Sequence, residues 1–200
     1  MTLGRNRSFD KDSALEKAMG VFWQNGYPGT SLTDLTKVMG INKSSLYAAF
    51  GNKEALFDQV IAFYLNKHGV VHSAELFKAE FSLKERIRNY LFSIADMLVD
   101  PDLPKGCLIC LATAEVAGDC VPQDSANKIT DINQNTISVL TDFIEKEQTQ
   151  KNMPAGLSAN GVAHYLLTLQ FGLAVAARNG SDREQLRVTI DIAIRVFQFD

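Results

Sequence analysis

Between residues 35 and 53 the only charged side chains are Lys37, Lys43 and Lys53. Lys43 is followed at once by two short hydroxyls, Ser44 and Ser45, and then by Tyr47. Hydroxyls this close to the backbone donate and accept at short reach, which suits the edges of bases; lysine and tyrosine reach further, to phosphate oxygens. Leu46 and Phe50 make the other side of the segment apolar, so the polar groups share a face. One face would pack on the protein's own core while the other meets a duplex. A helical hairpin with a merely solvated face has the same periodicity and stands as the alternative.

A second group of reactive types lies further on. Cys107 and Cys110 sit at i and i+3 in Gly106-Cys-Leu-Ile-Cys, and Cys120 follows. At a helix start two such thiols share a face and the dipole lowers their pKa, which fits a redox switch or a soft metal. A single Cys-x-x-Cys makes no tetrahedral zinc site, and cysteine is commonly a small buried hydrophobe, so no metal or cofactor is expected. His164, Thr168 and Phe171 fall at i, i+4 and i+7 in an apolar segment, where polar insertions need partners in the core or in a bound molecule. With Cys107 they are the candidate lining of a small-molecule site. His68 and His72 share a face if a helix continues there. The chain shows no His-x-x-x-His pair with an acid, no phosphate-loop glycines and no nucleophile triad, so no catalytic residue is assigned; a helical-bundle enzyme is the competing class. A helical protein-interaction module is a third.

These groups need elements to hold them. Leu15, Ala18, Met19, Phe22 and Trp23 form one helical stripe, with Ser13 and Glu16 as its expected capping box and Gly26 as its stop. Ser31 and Asp34 open a short helix that ends at Gly40; Asn42 caps the next, through Phe50; Asn52 caps a fourth with Leu56, Phe57, Val60, Ile61, Tyr64 and Leu65 buried. Longer helices are expected near 83–98, 105–117, 123–150, 159–178 and 183–198, broken by Pro and Gly between them. Strand alternation is missing. The reading is all-α, with a helix-turn-helix over residues 30–50 and a larger helical bundle after it. The helices near 159–178 and 183–198 are apolar beyond one intrachain face and are expected to close a homodimer; a charge at Leu173 or Ile194 should weaken the dimer or the fold.

Twenty Lys and Arg against 23 Asp and Glu give a net charge of −3 over 200 residues. Residues 1–60 nevertheless carry seven basic and six acidic side chains, a small basic face on an acidic protein. Purely apolar stretches fall short of the ~18–20 residues of a membrane span, so no membrane partner is expected. The opening MTLGRNRSFD lacks an apolar h-region, and three cysteines make no disulfide framework; a reducing, cytoplasmic compartment is expected.

Over Ala14–Phe57 the chain carries Phe22-Trp23-x-x-Gly26-Tyr27-x-x-Thr30-Ser31-Leu32-x-x-Leu35, then Gly40-Ile41, then Ser45-Leu46-Tyr47-x-x-Phe50-x-x-Lys53-Glu54-x-Leu56-Phe57. In order and spacing this resembles the N-terminal domain of TetR-family transcriptional repressors. The resemblance implies an N-terminal helix-turn-helix three-helix DNA-binding domain over residues 1–60 and an effector-binding and dimerisation domain over 61–200, in a ligand-responsive regulator that binds a palindromic double-stranded DNA operator as a homodimer, controlled by a small-molecule effector in the C-terminal bundle. It implies that Tyr47 and Lys53 contact phosphates and that Thr30 and Ser31 meet the DNA backbone. Lys53, at a helix start, would add its charge to the dipole there. Lys43, Ser44 and Ser45 are the candidates for base edges, and Ala48 and Ala49 either touch a thymine methyl or leave room. Arg5 and Arg7 precede the first helix and would reach a narrow minor groove, or else form a tail. Gly106-Cys107-Leu108 after a Pro-containing loop is similar to a TetR subgroup that includes a copper-responsive repressor. A thiol- or copper-responsive repressor using Cys107 and Cys110 is therefore the alternative to the organic effector.

Overall fold

The computed structural model describes residues 10–150, 153 and 156–197, and their regular structure is helical throughout. Arg5 and Arg7 lie outside the described residues. The first four helices are α1 (Lys11–Asn25), α2 (Leu32–Met39), α3 (Lys43–Phe50) and α4 (Lys53–Tyr64). Each starts at a side chain that takes an orphan backbone N–H. Ser31 and Asp34 cap α2 reciprocally, Asn42 accepts from the Ser45 N–H, and Asn52 accepts from the Ala55 N–H. Helix α1 departs from expectation: Asp10 accepts from the N–H groups of Asp12 and Ser13, so the helix begins upstream and Ser13 lies inside its first turn. Gly40 closes α2 in the left-handed region, at φ 68°, and lets α3 turn away within two residues.

Phe22, Trp23, Leu35, Leu46, Leu56 and Phe57 are fully buried and hold these helices together. Phe57 packs at 5.0 Å, centroid to centroid, from both Phe22 and Tyr27. This core does not stop at α4, because Leu108, Ile109, Ala112 and Ile129 from later helices belong to it. Helix α4 runs through residue 60 to Tyr64 and passes directly into a π-helical turn, Leu65–Gly69. A 3₁₀ segment, His72–Phe77, follows. The backbone thus changes pitch between His68 and His72, and the single helix that would carry both does not continue there.

The remaining helices are α5 (Leu83–Leu98), α6 (Leu108–Ala117), α7 (Gln123–Thr149), α8 (Ala159–Arg178) and α9 (Arg183–Ala193). Helix α6 begins at Leu108, later than expected, because Gly106 adopts φ 84° and Cys107 is extended. Ile87, Leu91, Leu98, Ile144, Ala163, Leu166 and Ile190 form the centre of a second core shared by α5, α7, α8 and α9. Arg86 of α5 forks onto Glu147 of α7 at 3.0 and 2.6 Å and onto the Leu76 carbonyl at 3.1 Å. Both side chains are buried, so removing one partner would strand a charge at a cost of about 3–5 kcal/mol. Leu173 and Ile194 are buried inside this core, so a charge at either reports on the fold and not on an intersubunit face. Among the described residues no helix is long and apolar enough to cross a membrane.

Candidate functional site

Helix α3 presents Lys43, Ser44, Ser45, Tyr47 and Ala48 to solvent while Leu46 and Phe50 anchor it. Tyr47 is 46% exposed although aromatic, with its neighbour Leu46 fully buried. Ser31 is exposed at the start of α2, its hydroxyl donating to the Asp34 carboxylate at 2.6 Å. Lys37, exposed in the last turn of α2, extends the cationic face. Thr30 departs from the expectation of a backbone contact. It is 2% exposed and its hydroxyl donates to the Gly26 carbonyl at 2.6 Å, so its side chain locks the turn before α2.

Lys53 opens α4 half-buried, its ammonium 4.1 Å from the centroid of Tyr27. Burial lowers its pKa, opposed by the nearby carboxylate of Glu115. Glu115, on α6, accepts the Tyr27 N–H at 3.0 Å, and burial raises its own pKa. Three further contacts tie the first helices to the rest. The Trp23 indole N–H donates to the Gly106 carbonyl at 3.2 Å. Arg178, at the end of α8, donates to the last carbonyls of α1, Trp23 and Gln24, at 2.9 Å each. Asp58 of α4 accepts from Ser125 at 2.6 Å and pairs with Lys128, both on α7.

Behind this joint lies a cavity of about 600 Å³. Its wall includes Tyr64 from the end of α4, Leu65 and His68 from the π-helical turn after it, Tyr90, Ile94 and Met97 from α5, Ile109 and Cys110 from α6, Ile132, Thr136 and Leu140 from α7, and Leu167, Gln170 and Phe171 from α8. Cys107 and Phe171 are on this wall; His164 and Thr168 are not, and lie on the exposed face of α8. The four expected lining residues therefore split in two: of the three on α8 only Phe171 reaches the wall, beside Leu167 and Gln170. The Tyr64 hydroxyl donates to Cys107 Sγ at 3.3 Å. Cys110 does not have the low pKa expected at a helix start: burial, reinforced by Cys107, pushes its thiol up to about 11, against the pull of Arg178. Among the described residues no group of three or more His, Cys, Asp or Glu is arranged to hold a metal ion.

With this geometry in view, comparison with known proteins decides the family. Residues 14–60 match the model for bacterial regulatory proteins of the tetR family. ComR, an HTH-type transcriptional repressor of Escherichia coli K12, is 32% identical, with 97% of this chain and 91% of that protein covered. The chain belongs to the TetR family. It is a DNA-binding transcriptional regulator with the all-helical TetR fold. YezE, an uncharacterized HTH-type regulator of Bacillus subtilis 168, is 30% identical over 97% of this chain and 99% of its own. A cysteine-substituted CifR solved with 26-bp double-strand operator DNA is 31% identical, with a TM-score of 0.85 over 97% of this chain and 100% of that one. Reduced NemR of E. coli, at 19% identity and a TM-score of 0.79 over 96% and 99%, shares the fold.

In this regulator the cavity also sets a pH dependence. His72 is held by Ser93 Oγ at 2.7 Å and Met97 Sδ at 3.4 Å, and burial, with His68 adding, lowers its pKa to about 4. The unfolded chain binds that proton near 6.5, so the unfolded state holds more protons between the two values. The contribution is complete above pH 6.5 and is lost as pH falls toward 4. Urea unfolding of wild type against His72→Gln at pH 7 and pH 5 is expected to show wild type losing about 1 kcal/mol more than the variant, because only the 1.5 units between 6.5 and 5 are crossed, at 1.36 kcal/mol per unit discounted for partial exposure.

Proposed function

We propose that this TetR-family protein is a homodimeric repressor of a two-fold-symmetric operator, released when a small molecule occupies the cavity behind α4. Its DNA lies in the cytoplasm. The observation that carries the reading is the span of α4. Lys53, beside the exposed face of α3, starts this helix, and Tyr64 at its other end, with Leu65 and His68 in the π-helical turn that continues it, forms part of the cavity wall. An occupant that favours one position of that end over another changes the angle at which α3 is presented. A tenfold change in operator affinity needs about 1.4 kcal/mol of such differential binding. Repression is supported by relatives named as repressors, and operator binding by the operator complex of CifR.

Dimerisation is assigned to the outer faces of α8 and α9. Gly161, His164, Thr168, Gly172 and Val175 are exposed along α8, and Val188 and Ile192 along α9. Val175, Val188 and Ile192 are 52%, 49% and 61% exposed in the protomer, an apolar strip that a second copy would cover. Two α3 helices related by a dyad then meet half-sites about 34–36 Å apart, one turn of DNA.

Lys43, Ser44, Ser45 and Tyr47 are the contact set, with Ser31, Lys37 and Lys53 on flanking phosphates. Lys53→Ala is expected to weaken binding to every duplex and to reduce the salt slope, d log K/d log[salt], by about one. Fluorescence anisotropy across a salt series measures both; an unchanged slope removes Lys53 from the phosphate contacts.

A thiol-sensing reading is favoured by one observation: Cys107 lines the cavity under the Tyr64 hydroxyl. Release of operator DNA in cells, followed in wild type and in Cys107→Ser/Cys110→Ser, separates the two. Release that survives the substitution supports the organic effector; release only by oxidant or copper, lost in the variant, supports the thiol.

A further inference from the structure

The cavity wall is informative in what it offers a bound molecule, and the inference below rests on the effector reading above. Ile94, Leu98, Leu140 and Leu167 make most of its interior apolar. Of the described residues lining it, none is Lys or Arg, and Asp131, exposed on α7, is the single acid. Of its two histidines, His72 is neutral at pH 7 and already engaged by Ser93 and Met97, and burial, with Lys67 adding, lowers the pKa of His68. A carboxylate or phosphate entering this space would lose its water and find no cation, which costs several kcal/mol.

Two polar groups inside the wall point to what is accepted instead. Gln170 of α8 donates its amide N–H to the Tyr90 hydroxyl of α5 at 3.1 Å. Tyr90 is buried and its hydroxyl proton has no acceptor among the described residues; the Gln170 carbonyl oxygen has no donor among them. The pair leaves one donor and one acceptor side by side. Turning the amide over reverses which residue supplies which, and still leaves one of each.

We infer that the cavity takes an uncharged molecule with an apolar body and one group that both donates and accepts a hydrogen bond, such as an alcohol or an amide, read by Tyr90 and Gln170 across α5 and α8. The volume is that of a small-molecule site.

The test uses three probes with one eight-carbon chain and different heads: octan-1-ol, octanoate and octylammonium, titrated calorimetrically into the full-length protein at pH 7. Octanol is expected to bind at least tenfold more tightly than either ion. Tyr90→Phe and Gln170→Leu, each first checked for an unchanged helical circular-dichroism spectrum and cooperative melting, are expected to weaken octanol about three- to tenfold, the loss of one neutral hydrogen bond. If octanoate or octylammonium binds as tightly as octanol, the neutral class is wrong while the cavity remains a ligand site. If octanol binds but neither substitution changes its affinity, the Tyr90–Gln170 assignment is wrong. If none of the three binds, the cavity is not an effector site and both readings fall.

Discussion

Val188→Glu combined with Ile192→Glu is expected to yield a folded monomer that has lost its operator. Both side chains are exposed in the protomer, so the substitutions remove little intrachain packing, and surface changes of this kind usually shift stability by about 0.5 kcal/mol or less. At a two-fold interface each substitution occurs twice, which places four carboxylates on an apolar strip. A monomer reaches one half-site alone and loses the contacts of the other. Specific binding typically exceeds non-specific binding by a thousandfold or more, and the variant is expected to fall by about that factor, to the level of bulk duplex. Sedimentation gives the mass, circular dichroism the fold, and anisotropy the affinity. A dimer that persists at micromolar concentration would move the interface off α8 and α9.

The second large effect is at Gly106. Its φ of 84° suits glycine, and a Cβ there would lie 2.5 Å from Arg178 Cγ and 3.0 Å from the Ala174 carbonyl oxygen. Gly106→Ala therefore strains the backbone and pushes Arg178 away from the Trp23 and Gln24 carbonyls it caps. The Gly106 carbonyl is also the acceptor for the Trp23 indole, so the joint loosens at two points. The expected loss is about 2–4 kcal/mol, from the positive-φ penalty plus displaced contacts. Denaturant unfolding measures it. Arg178→Ala leaves the Gly106 backbone unstrained and is expected to lose less, about 1.5–3 kcal/mol for its charged hydrogen bonds. Equal losses in the two variants would mean that the glycine conformation contributes nothing beyond the arginine.

The DNA-facing helices were legible in the sequence because their signals are local. Ser31 with Asp34, Gly40, Asn42 and Asn52 each act within three residues, and all four do in the structure what their types suggest. The buried turn contact of Thr30 is not legible in the sequence, because its partner, the Gly26 carbonyl, becomes available only once the α1–α2 turn forms. Ser13–Glu16 looked like a cap, but Asp10 competes for the same N–H groups and wins them.

The cavity was much less legible, since its contacts are long-range. Tyr90 and Gln170 are 80 residues apart, and Tyr90 read as one more apolar stripe position on α5. His164, Thr168 and Phe171 follow one helical stripe, but only Phe171 reaches the cavity, because which turns of α8 border it is set by the helices packed against them. Val175 and Leu173 differ by two residues and point opposite ways; periodicity marks both as apolar without saying which is buried. The break at Gly106 moved Cys107 out of the helix and left Cys110 in the apolar interior, which reverses the pKa direction expected of a thiol at a helix start.

The central claim is sequence-specific binding through the exposed face of α3, and selection of bound fragments from fragmented genomic DNA tests it most directly. The wild-type protein is expected to enrich an inverted repeat whose half-site centres lie about 34–36 Å apart, protected on one face of the duplex. Lys43→Ala/Tyr47→Ala should keep the fold and the dimer while losing the enrichment, and Ser44 or Ser45 substitutions should change which bases are preferred. Enrichment of no sequence by the wild type, or unchanged enrichment of the same sequence by Lys43→Ala/Tyr47→Ala, would contradict the account.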